Sequence, residues 1–141
     1  MFQTLAYYAT MCHRSFVDYT TARLQLLGLS FGSLFPVIYV GKHPGCTQAE
    51  LTAALGLDWG YSQRSVTRLV EEGFLTREKS GRAYHLNLSA KGQEAFQVSH
   101  QVFFDWDREA MASLSETERE QILSLLAKAT KKEVDSICTR P

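Results

Sequence analysis

Residues 47–88 read TQAELTAALGLDWGYSQRSVTRLVEEGFLTREKSGRAYHLNL. Thr47-Gln48-Ala49-Glu50 has the form of a capping box: the Thr47 hydroxyl accepts from the Glu50 amide and the Glu50 side chain reaches back. Leu51, Ala54 and Leu55 follow at helical spacing, and Gly56 ends that helix. Asp58 is a second N-cap, opening a helix that runs to about Glu72, with Gly73 as its stop. Beyond Gly73 the apolar period changes from helical to alternating, the mark of a strand. Phe74–Lys79 is one strand and Tyr84–Leu88 another, with Ser80-Gly81 between them as a tight hairpin turn. A short helix, a glycine turn, a second helix and a two-stranded hairpin make a winged helix-turn-helix. In such motifs the second helix enters the major groove of DNA.

The second helix supports that role on its own chemistry. At 100° per residue, Trp59, Ser62, Val66, Leu69 and Val70 share one side, which is expected to pack on the core. The other side carries Gly60, Tyr61, Arg64, Thr67, Arg68 and Glu71, with Gln63 at its edge. Arginine suits guanine or phosphate, glutamine suits adenine, and threonine suits a thymine methyl or a phosphate. The hairpin tip, Lys79-Ser80-Gly81-Arg82, adds two cations beside a flexible turn. A polar face alone is more often a solvated surface, and a basic turn alone as often a soluble loop. Their combination in this order favours DNA.

The flanks are helical. Phe2, Leu5, Ala9, Cys12, Phe16, Tyr19 and Leu26 step by three and four along one face of a first helix over residues 2–27. Leu34, Val37, Ile38 and Val40 read as a short buried helix, in which Pro36 demands a late start or a kink. Ser89 caps a long helix with Phe96, Phe103, Trp106 and Ala110 along one side. Ser115-Glu116-Thr117-Glu118 is another capping box, opening a last helix with Ile122, Leu125, Leu126 and Ala129. Apolar stripes this long need a cover that one small lobe does not offer. The expected architecture is therefore mainly α with a small β-hairpin. It is one domain over 1–141, with a winged-helix DNA-binding lobe at about 31–88 and dimerisation helices at about 1–27 and 89–138.

Fifteen basic and fifteen acidic residues leave the formal net charge at zero. The middle of the chain is mildly basic and its last third acidic, so any DNA-binding face is local. Leu24–Gly41 carries no charge, but its glycines, serines and Pro36 suit two helices meeting at a corner better than a membrane span. Three cysteines at no framework spacing imply a reducing, cytoplasmic setting. Cys12-His13 and His43-Pro44-Gly45-Cys46 lack a zinc spacing, and no cofactor or metal is expected. No nucleophile motif or phosphate loop points to an enzyme. A winged helix that binds protein instead of DNA is the alternative outside nucleic-acid recognition.

The chain resembles the MarR (multiple antibiotic resistance) regulators. The resemblance is carried by Leu27-Gly28-Leu29-Ser30, by His43–Leu51, by Leu55-Gly56-Leu57-Asp58, by Val66–Leu75 and by Leu88-Ser89-Ala90-Lys91-Gly92, in order. It implies a homodimer held by the terminal helices and bound to a pseudo-palindromic duplex operator. It further implies repression relieved by a small apolar or aromatic effector, or by cysteine oxidation. Its base-contacting slots fall on Tyr61, Gln63, Arg64, Thr67 and Arg68, and its wing arginine on Arg82. Phe16, Tyr19, Phe35 and Tyr39 are the candidate effector lining; core packing is the plainer reading of each. Oxidation at Cys12 is the alternative trigger, although a cysteine on an apolar stripe is expected to be buried and inert. Ser62 and Ser65 stand where the family is apolar, which implies a loosely packed recognition helix. The short wing implies reduced minor-groove reach.

Overall fold

The computed structural model describes residues 3–130, so Phe2 and Cys138 lie outside it, as does the end of the expected C-terminal dimerisation segment. The elements are α1 (Leu5–Gln25), a 3-10 turn (Phe31–Ser33), α2 (Leu34–Lys42), β1 (Cys46–Thr47) and α3 (Gln48–Ala54). There follow α4 (Trp59–Glu71), β2 (Leu75–Ser80), β3 (Ala83–Leu88), α5 (Ala90–Ala110) and α6 (Glu116–Thr130). The chain divides into two compact units, Met1–Ser99 and His100–Pro141.

In the first unit the core is built from Leu24, Leu34, Val37, Ile38, Val40, Leu51, Val66, Leu69, Phe74 and Leu86, all at most 2% exposed. Pro36 kinks nothing. The 3-10 turn precedes it and α2 begins only at Leu34, so Pro36 lies in the first helical turn, where a missing N–H breaks no helical bond. The sheet has three strands in the order β1-β3-β2, all antiparallel. The strand β1 has only two residues, too few to show a period, and the sequence reading missed it. It pairs Cys46 with Leu86 and Thr47 with His85.

The hairpin turn sits one residue later than expected. Ser80 pairs with Ala83, leaving Gly81-Arg82 as the two-residue turn, with Gly81 at a φ of 63°. A first turn residue in positive φ is what the primed hairpin turns require, and glycine adopts it without strain. At the other end of the hairpin, Ser89 N–H donates to Phe74 O at 3.0 Å, and Gly92 N–H to Ser89 Oγ at 3.0 Å. A Cβ on Gly92 would collide with the Phe74 carbonyl, so glycine is what lets α5 start so close to the end of α4.

On the first helix one expectation is corrected: Cys12 is exposed rather than buried. Leu26, on the apolar stripe that one lobe does not cover, is 87% exposed. The buried residues of α1 are Thr20 and Leu24. In the second unit, Ser115 Oγ accepts from Glu118 N–H at 3.1 Å while Glu118 Oε1 accepts from Ser115 N–H at 2.8 Å, the expected capping box. Hydrogen bonding from the Ser115 amide, and then from its hydroxyl, holds the Glu118 carboxyl below its ordinary pKa. Ile122, Leu123, Leu125 and Leu126 of α6 stay exposed.

Candidate nucleic-acid interface

The interface is best followed from the start of α4. Asp58 holds an extended conformation and its carboxylate accepts from Tyr61 N–H at 3.1 Å, fixing where the helix begins. From there Ser62, Val66 and Leu69 face inward and are buried. The looseness implied by Ser62 is absent: its side chain is fully buried, and its Oγ lies 2.6 Å from Thr52 Oγ1 on α3. Ser65 is half-buried.

Tyr61, Gln63, Arg64 and Arg68 are exposed and Thr67 is half-buried. Gln63, Arg64, Thr67, Arg68 and Glu71 line one shallow hollow of about 320 Å³. Arg68 donates from Nε to Glu72 at 2.9 Å, yet its side chain is 71% exposed. Such exposed pairs contribute about 0–1 kcal/mol, so Arg68 can trade Glu72 for another anion. Arg64 has no ion pair among the described residues.

Lys79 and Arg82 are exposed at the far end of the hairpin, as expected. A cleft of about 460 Å³ runs between α4 and the wing, with Trp59, Gln63 and Thr67 on one side and Arg77, Arg82 and Tyr84 on the other. Trp59 corrects the sequence reading: it was placed against the core but is 49% exposed. As the first residue of α4 it precedes the turn at which the helix begins to bury its inner side. Arg77 and Tyr84 were missed as well. Arg77 donates to Thr67 Oγ1 at 3.3 Å, and its guanidinium lies 5.3 Å from the Tyr84 ring centre. The signal was present, because Arg77 is in phase with the buried Leu75 along β2 and so shares the face turned toward α4.

The four candidate effector residues have individual surroundings. Phe16 meets Phe31 edge-to-face at 6.1 Å, and Tyr19 carries the Arg23 guanidinium 3.2 Å above its ring. Tyr39 lies 4.4 Å from the His43 ring, and Phe35 is exposed. Burial raises the Tyr39 pKa. Burial, with the Glu50 charge behind it, also pushes the Cys46 thiol up to about 11. Among the described residues, no group of three or more His, Cys, Asp or Glu side chains could hold a metal ion, and no helix is long and apolar enough to cross a membrane.

Comparison with known proteins places this geometry. The MarR family model matches residues 37–83, the segment from α2 to the start of β3. The chain is 41% identical over 143 residues to the HTH-type transcriptional regulator BilQ of Clostridium symbiosum, covering 99% of both proteins. Its fold superposes on the reduced form of MarR from E. coli with a TM-score of 0.80 at 22% identity, covering 92% of this chain and 98% of that one. A MarR-family regulator of Listeria monocytogenes, solved with a 26mer DNA, matches with a TM-score of 0.76 at 17% identity, over 93% of this chain and 89% of that one. A helix-turn-helix with a basic outer face, on this fold and at this identity, belongs to one class: the chain is a transcription regulator of the MarR family.

Proposed function

We propose that the protein is a cytoplasmic homodimer that represses transcription by holding a pseudo-palindromic duplex operator. A small apolar or aromatic effector then releases it. The observation that carries the DNA-binding part is the outer face of α4, where Gln63, Arg64, Thr67 and Arg68 lie together in reach of solvent. In this reading α4 occupies the major groove, where these side chains meet base edges and adjoining phosphates. Lys79 and Arg82 flank it at the wing, where a narrow minor groove attracts arginine.

The dimer is supported by apolar surface that a single chain leaves open. Leu5, Tyr7, Tyr8 and Met11 on α1, and Ile122, Leu123, Leu125 and Leu126 on α6, are all exposed. Patches of this kind mark association surfaces. The aromatic residues Phe16, Tyr19, Phe35 and Tyr39 on α1 and α2 are the proposed effector lining.

The test is selection of bound duplexes from a random pool, with light scattering on the same sample. An inverted repeat with half-sites about one helical turn apart is the expected product. Its binding should weaken steeply with added salt as counterions are released. Failure to enrich any sequence, or a monomer at micromolar concentration, overturns the reading.

A further inference from the structure

A second hollow, of about 170 Å³, opens beside Tyr61, between α4 and the entry to α2. Arg64 and Arg68 are the charged residues of its wall, and no Asp or Glu lines it; the Glu72 carboxylate that Arg68 holds at 2.9 Å lies outside. The remaining side chains there are hydroxyls, from Ser30, Ser33, Ser65 and Tyr61. Ser30 and Ser33 precede the 3-10 turn and α2, but neither hydroxyl makes a capping bond. Gly32 completes the wall. A Cβ on it would lie 3.1 Å from the Tyr61 hydroxyl, so the bare glycine admits the tyrosine's tip.

Four hydroxyl-bearing residues and two arginines thus line one small space. None of the four hydroxyls has a side-chain hydrogen bond among the described residues. Guanidinium groups only donate, and a hydroxyl always has a proton to give. The occupant that fits is a compact anion rich in acceptor oxygens. The hollow is contiguous with the outer face of α4, because Arg64 and Arg68 line both. On a helix lying in the major groove, such a side position meets the sugar-phosphate strand rather than base edges.

We propose that this hollow is a phosphodiester clamp, in which Ser30, Ser33 and the Tyr61 hydroxyl close on one backbone phosphate per half-site while Arg64 or Arg68 neutralises it. The clamp rests on the placement of α4 in the groove given above. It recruits the entry to α2 into the DNA interface and gives Tyr61 a backbone contact instead of a base.

The experiment compares the full-length protein with Ser33→Asp, Tyr61→Phe and Arg64→Ala on the selected operator, on a random duplex, and on operators carrying one neutral methylphosphonate linkage at the same position in each half-site. Aspartate is favoured at a helix start, so Ser33→Asp keeps the fold. It places a negative charge where the phosphate would lie. Ser33→Asp should lower affinity for operator and random duplex alike, roughly tenfold or more, since a charge-assisted contact is lost and a like charge opposes it. Tyr61→Phe should lower both by a few-fold and leave base preference unchanged. One linkage per half-site, once neutralised, should make Ser33→Asp and the wild type bind equally. A base-preference change in Tyr61→Phe, or equal effects of Ser33→Asp at every linkage, overturns the clamp. If Arg64→Ala weakens binding while Ser33→Asp does not, the clamp alone is wrong. If Arg64→Ala has no effect, the placement of α4 is wrong and the clamp goes with it.

Discussion

Thr52 on α3 and Ser62 on α4 join their hydroxyls at 2.6 Å inside the core, across the turn of the helix-turn-helix. Thr52 Oγ1 already gives its proton to the Gln48 carbonyl at 2.7 Å. Ser62 must therefore be the donor to Thr52, and the order of the chain is Ser62 to Thr52 to Gln48. Two buried hydroxyls are stable as partners and costly apart. The pair acts as a pin that sets the angle between α4 and α3.

Breaking the pin from either side should be destabilising. Thr52→Val strands the Ser62 hydroxyl and should lower stability by about 1–3 kcal/mol. Ser62→Ala should lower it by a similar or smaller amount. The double variant should be more stable than the sum of the two losses, because no orphan is left. Urea unfolding of the four proteins checks this, and strict additivity would show that the hydroxyls are not coupled.

Arg64→Ala and Arg68→Ala should each weaken operator binding while leaving the urea midpoint unchanged, since both side chains are exposed. A lost bidentate base contact is worth roughly 1–3 kcal/mol, and the proposed symmetric dimer would lose it twice. Glu72→Gln is the informative companion. It frees Arg68 from its 2.9 Å partner and removes a negative charge, so affinity for any duplex should rise. Mobility-shift titrations at fixed salt measure all three, and a fall in affinity for Glu72→Gln would contradict the proposed availability of Arg68.

Arg82→Ala tests the wing. The turn holds only Gly81 and Arg82, so the tip is short. If the side chain meets backbone phosphate, binding to all sequences should weaken about equally, and the salt slope should fall by about one unit per half-site. If it enters the minor groove, the loss should be larger for A·T-rich flanks. No change in either quantity means the wing stays off the DNA.

Cys46 provides a pH test. Its pKa is raised from 9.0 to about 11, mainly by burial, so between those values the folded protein keeps a proton that the unfolded chain gives up. The contribution is present below pH 9 and is lost as pH climbs toward 11. In a Cys12→Ser, Cys138→Ser background, the native thiol should resist alkylation at neutral pH and react fully in urea. Replacing Cys46 with valine should remove the associated part of the alkaline decline in stability. Rapid alkylation of the native protein would show the thiol to be accessible.

Much of this fold was legible because its signals are local. Thr47, Asp58 and Ser115 mark helix starts through bonds spanning three residues, and each forms as read. The outer face of α4 was legible for the same reason, being a matter of helical period. What escaped depends on partners distant in the chain. The burial of Ser62 is acceptable only because Thr52 faces it, and no period announces that. Trp59 looked like core by hydrophobicity, but the core needs a neighbouring element at that place, and the helix has barely begun there. Leu26 is in phase with an apolar stripe that a single chain does not cover, as the length of that stripe implied.

Thr47 belongs to two elements at once. Its backbone pairs with His85 as the end of the outer strand, while its hydroxyl and amide form the capping box of α3. The sheet edge and the first turn of α3 therefore have no independent way to open. In native-state hydrogen exchange, the Glu50 amide and the ladder amides shared by β1 and β3 should behave as one cooperative unit, with a common opening free energy. A fluctuation that lifts the wing would unwind the start of the helix with it, so the two halves of the DNA-binding lobe come apart together or not at all.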